Sequence, residues 1–138
     1  VSRRPLDLPE YHGFHRYSLE LIAQRRRENY RVALEAMEKA RPAGVEVLRP
    51  ELGDAVPESF PVLLPSREIR NQVHRRMNEC GFGLISLYHE LIAEVGPSFR
   101  AEREISDRIT NLPIHQDAEP REVARMVEAL GRVTRELC

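Results

Sequence analysis

Few residues in this 138-residue chain have the type and spacing that chemistry needs. Lys39 is its single lysine, so any Schiff-base chemistry has one candidate, because that step needs a free amine. Lys39 follows the apolar stripe of the first expected helix and reads as a helix-end surface charge. His12 and His15 stand three apart, a chelating spacing on a helix. No Cys, Asp or Glu completes a ligand set at matching spacing, and that stretch has no helical pattern. Gly81-Phe82-Gly83 ends a helix and opens a strand, the reverse of the strand, glycine, helix order that cradles phosphate. Ser, His and Asp occur without the strand-turn-helix setting of a nucleophile elbow. Arg25-Arg26-Arg27, with Arg31, could attract anions. Consecutive helical residues fan over about 200°, however, so they make a solvated face and not a patch. Arg26 lies nearest the apolar stripe and is expected to pair with a carboxylate at a domain seam.

Composition narrows the classes. With 41% hydrophobic and 31% charged residues the chain reads as one soluble globular domain. Its net charge of −1, from 21 basic and 22 acidic residues, argues against a nucleic-acid partner. No stretch approaches the roughly 20 apolar residues that span a bilayer, so no membrane partner is expected. Cys80 and Cys138 form no CxxC pair and point to a reduced, cytoplasmic setting. The first residue is Val, which suggests a piece of something longer.

The elements that must position these residues follow from periodicity. Residues 1–16 read as an extended lead-in and 17–138 as the domain. Leu19, Ile22, Ala23, Tyr30, Ala33, Leu34 and Met37 mark a long first helix, capped by Ser18 and closed by Pro42 and Gly44. Val45–Leu48 is a short strand, and 50–59 a loop. Phe60–Pro65 is a strand in which Pro61 predicts a start or an edge position. Ser66 caps a second helix with the stripe Ile69, Val73, Met77 and Cys80, ended by a left-handed Gly81. Gly83–Tyr88 is predicted as a strand, Ala101, Ile105 and Ile109 as a helix, and Asn111–His115 as a strand. A last helix starts near Pro120, with the stripe Val123, Met126, Val127, Leu130, Val133 and Leu137. The sum is an α+β fold: a three- to four-stranded antiparallel or mixed sheet covered by helices, preceded by a long N-terminal helix.

Four segments, in order, resemble the C-terminal small domain of the DegT/DnrJ/EryC1/StrS family of pyridoxal-phosphate (PLP) sugar aminotransferases. Arg25-Arg26-Arg27-Glu28-Asn29-Tyr30 is similar to its R-R-E-N-Y. Phe60-Pro61-Val62, with Arg67-Glu68 opening a helix to Gly81, is similar to its strand, helix and E-x-G-I turn. Leu87-Tyr88-His89-Glu90-Leu91 is similar to its Y-H-P-L, with Glu90 where proline is usual. Ile105–His115, followed by Glu122-Val123, is similar to its S-x-R-I-x-x-L-P-L-H and closing helix.

The resemblance implies a fold-type-I aminotransferase parent whose PLP lysine lies in a separate N-terminal domain. PLP would belong to the parent, and this chain would bind no cofactor itself. The loop of Tyr88 and His89 would line the side facing a sugar nucleotide. His115, in the L-P-x-H segment, joins them as a substrate candidate, with a turn-forming role as its competitor. The implied partners are the PLP-binding domain, a second copy in a homodimer, and a keto-sugar nucleotide; no catalytic residue is assigned within this chain. The alternative is a stand-alone, non-catalytic interaction module of the same fold. A discriminating observation is the first helix: a domain made to pack on another should leave Phe14, Tyr17, Leu19 and Ile22 uncovered.

Overall fold

The structure is a computed structural model and describes residues 18–138. The lead-in expected over 1–16, with His12, Phe14, His15 and also Tyr17, lies outside those residues. Helix α1 runs Leu19–Ala40. The Ser18 hydroxyl accepts from the Leu21 N–H at 3.4 Å, filling one of the bonds a helix start lacks. Its end is a left-handed Arg41 (φ 42°), whose N–H reaches the Met37 carbonyl at 2.9 Å. Gly44 follows at φ +65°, where a Cβ would lie 2.5 Å from Pro65 Cγ, so only glycine fits.

Strands β1 (Glu46–Val47), β2 (Ser59–Leu63) and β3 (Ile109–Pro113) form one antiparallel sheet in that order. Helix α2 (Arg67–Glu79) starts at a Ser66 cap and ends before Gly81 at φ +83°. Helix α3 is Arg100–Arg108, and α4 is Pro120–Leu137. A capping box between Glu119 and Glu122, with Pro120 in the first turn, starts α4. The fold is α+β. Helix α4 packs on α1 and α2, while α1 meets β2 and α2 meets β3.

Tyr30, Phe60, Leu64, Val73, Met77, Leu112, Ile114, Val127 and Leu130 close the core between these layers. Each such side chain stabilises by about 1.5–3 kcal/mol when fully buried. The rings of Tyr30 and Phe60 lie 4.7 Å apart and tilted by 58°, joining α1 to the sheet.

Three expectations are corrected. Gly83–Tyr88 is not a strand: its backbone makes a single isolated bridge with the backbone of the sheet, Ile85 to Asn111. Ile109 does not belong to α3; it ends that helix and opens β3, which therefore begins two residues before the expected Asn111. Pro61 neither begins its strand nor lies at an edge, for β2 is central. The proline is tolerated because its carbonyl accepts from Leu48 on the β1 side. A strand residue's N and C=O face the same neighbour, so the missing N–H falls where β1's two-residue ladder has ended.

Candidate functional site

A cleft of about 290 Å3 lies beside β2 and β3. Ser59, Pro61, Ile109 and Asn111 form its sheet side, Tyr30 and Arg49 line another wall, and Tyr88 stands at the rim. Tyr30 donates its hydroxyl to the Arg49 carbonyl at 2.6 Å, and burial raises the phenol above its ordinary pKa while Arg49 acts against that. Arg27 reaches from α1 to the carbonyls of Asp54 (2.6 Å) and Ala55 (3.2 Å), fixing the loop before β2. Tyr88 is two-thirds exposed and holds a left-handed backbone, φ 63°. A bulky non-glycine residue there is strained, and strain of this kind gathers at functional sites. Of the aromatic rings lining the cleft, Tyr30 is buried, which leaves Tyr88 as the exposed ring that could meet a ligand there.

The three residues singled out from sequence do not share one hollow. Tyr88 borders the cleft just described. His89 is half-buried and close enough to His74 of α2 to disfavour its protonation. His115 is exposed, 3.7 Å from Asp117, in a second hollow of about 340 Å3 with Cys80, Phe82 and Arg125. The turn carrying His115 is held by Asn29, whose buried amide meets the carbonyls of Ile114 (3.4 Å), His115 (3.0 Å) and Ala118 (3.0 Å). Arg26 donates from its Nε to the Gln116 side-chain carbonyl at 3.0 Å. Arg25 pairs with Glu28 and Arg31 is exposed, so the arginine run does not gather into one patch.

Two buried polar side chains, Asn111 at the cleft and Arg70 in α2, were missed from sequence. Asn111 is 1% exposed in β3 and ties Ser59 to the segment before Tyr88. A polar residue between Ile109 and Leu112 was its signal. Arg70, 5% exposed, carries an Nε with no partner. Burial lowers its pKa, with Arg67 adding to that, while Asp107 and Glu90 act against it. It stands one turn before Val73 on the apolar stripe of α2, and that misplaced charge was legible.

Lys39 is exposed in the last turn of α1 and lines neither hollow. It borders a third hollow of about 320 Å3, beside Glu35 and Glu128, and neither hollow described above offers an amine for PLP; no step through that cofactor is assigned to these residues. Among the described residues no three His, Cys, Asp or Glu side chains gather to hold a metal, and no helix is long and apolar enough to cross a membrane.

No protein-family model and no curated protein matches the chain. Solved structures do. Spr1654 of Streptococcus pneumoniae, described as a sugar aminotransferase in its PMP form, superposes with a TM-score of 0.70 at 13% identity over 92% of this chain. The aminotransferase TlmJ of Streptoalloteichus hindustanus gives 0.66 at 16% identity over 87%. This chain spans 34% of each of those chains. Its fold is therefore that of a part of aminotransferase chains.

Proposed function

We propose that this chain is the C-terminal small domain of a PLP-dependent aminotransferase of the DegT/DnrJ/EryC1/StrS type, one that places an amino group on a keto-sugar nucleotide. The observation that carries the reading is the fold shared with a third of two aminotransferase chains. The first helix supports it: Leu19 is 81% and Leu21 65% exposed, and Ile22 is only half-buried. Two exposed leucines in the first turn of a helix suit packing on a further domain better than open solvent.

In this reading residues 17–138 pack on the PLP-binding domain of a cytoplasmic homodimer. The Schiff-base lysine and the cofactor belong to that other domain. This part contributes by shaping the cleft and orienting the substrate, which lowers the entropic part of the barrier. Tyr88, His89 and His115 are the proposed substrate contacts, and Tyr88 is the one whose cleft position favours the role most directly.

The test is to sequence the coding DNA upstream of Val1 and to assay the chain with and without the encoded segment. An open frame carrying a lysine in PLP-binding context, with transamination only when both parts are joined, is the expected result. A local start codon directly before Val1, or cofactor-dependent transamination by the chain alone, overturns the reading; the former leaves an interaction module of the same fold.

A further inference from the structure

We infer that Asn111 is a positioning residue for Tyr88: it holds the backbone leading into that residue and so sets where the ring stands at the cleft. The functional weight of this rests on the proposal that Tyr88 lines a ligand site; the structural part does not.

Residues 84–87 lack a strand ladder, so their polar groups must be satisfied in other ways. Asn78 of α2 brackets Leu84, accepting from its N–H and donating to its carbonyl at 3.3 Å. Ile85 exchanges two bonds with the Asn111 backbone, at 2.9 and 3.3 Å. Ser86 Oγ lies 3.0 Å from His74 Nε2. The Leu87 carbonyl accepts from Asn111 Nδ2 at 3.1 Å. The clamps from α2 hold the entry to the segment, and the last one before Tyr88 is the Asn111 amide.

That amide cannot turn over. The Leu87 carbonyl can only accept, so Nδ2 must face it at 3.1 Å, and Oδ1 is left to accept the Ser59 hydroxyl at 3.0 Å. The side chain is buried, so the bond works in a low dielectric where losing it leaves a carbonyl unsatisfied. The next residue is the left-handed Tyr88, a conformation that persists only when neighbours over-determine it. An apolar residue at 111 would continue the strand but release Leu87. An aspartate would set a carboxylate oxygen against the Leu87 carbonyl.

The experiment is NMR on the whole chain, reading the HN–Hα coupling and the amide order parameter of Tyr88, with the α4 amides of Val127 and Leu130 as references. In Asn111→Ala and Asn111→Asp the Tyr88 order parameter should fall from about 0.85 to below about 0.6, and its coupling should lose the left-handed value. The α4 amides should stay rigid, and Ser59→Ala should stay close to wild type. A general loss of stability would not confine the change to one segment. An unchanged Tyr88 in a folded Asn111→Ala overturns the inference. If neither variant folds, the wild type decides: slow exchange of the Asn111 side-chain amide protons supports the clamp, and exchange at the solvent rate overturns it. Titrating Tyr88→Ala with uridine diphosphate separates the two levels. Unchanged binding at the cleft would end the lining role of Tyr88 while leaving the clamp intact.

Discussion

The two halves of α1 obey different rules although one helix contains both. From Asn29 to Met37 every third or fourth residue is sealed: Asn29, Tyr30, Ala33, Ala36 and Met37 are buried against α4 and the sheet. From Leu19 to Ala23 the stripe continues through Leu19, Ile22 and Ala23, yet Leu19 faces solvent, Ile22 and Ala23 are only half-buried, and Leu21, off the stripe, is exposed as well. The backbone cannot distinguish these halves, since both are helical and the first is properly capped. What differs is whether another element lies opposite. A helical stripe states a need for cover, and only the neighbouring layer shows whether it is met.

The comparison is sharpened most strongly on the sealed side. Leu130→Ala removes a fully buried side chain from α4 within the core it shares with α1, and should cost about 2–5 kcal/mol in chemical denaturation. A cost no larger than that of a surface change would mean the α1–α4 contact is not tight. Asn29→Ala should cost about 1–3 kcal/mol, because three carbonyls of the 114–118 turn lose their donor. Its destabilisation, followed by thermal melting, should come with loosening of His115, which hydrogen exchange can localise.

A gentler probe is pH. The Asn78 amide is oriented by Leu84, so its Nδ2 faces His74 Nε2 at 3.1 Å and that nitrogen must accept. Burial, then Arg70, then His89 lower the His74 pKa beneath its ordinary 6.5. The groups around it from α2 are Arg70 and Asn78, and from the 84–90 segment Ser86 and His89. A depressed base contributes stability that is whole above the unfolded value and lost as pH falls through the lowered folded one. Segment 84–88 should therefore loosen below about pH 6.5, and His74→Gln should flatten that dependence. An NMR titration placing His74 at or above the ordinary value would count against this. The smallest effect belongs to the open half of α1. Leu19→Ser with Leu21→Ser should shift the stability of this chain by no more than about 0.5 kcal/mol per site, yet weaken association with an upstream domain in a pull-down. A large loss in the chain alone would show that the two leucines are covered after all, and would break the contrast.

Much of the architecture was legible in the residues. Ser18, Ser66 and Pro120 marked three helix starts because their side chains or fixed φ act locally. The stripe of α4 became its buried face. Phe60–Pro65 overlapped β2, but the edge position inferred from Pro61 failed because β1 is too short to need the missing N–H. Gly83–Tyr88 reads as a strand, yet side chains of α2 and β3 supply bonds that a ladder would give. The site was less readable. Tyr88 could be singled out, but Tyr30, Arg49, Ser59 and Asn111 come from four separate stretches, and no spacing foretells their meeting.

Local chemistry in the sequence by itself determined the long capped first helix, the amphipathic α2 and α4, the α+β class and the absence of a second amine for Schiff-base chemistry. Those properties depend on neighbours within a turn or two along the chain, or simply on composition. Tertiary structure alone decided that Tyr88 and His115 belong to different hollows, that Arg26 meets an amide, that Asn111 holds Tyr88, and which half of α1 is covered. Each of these rests on contacts between residues distant in sequence, which exist only once the layers have packed.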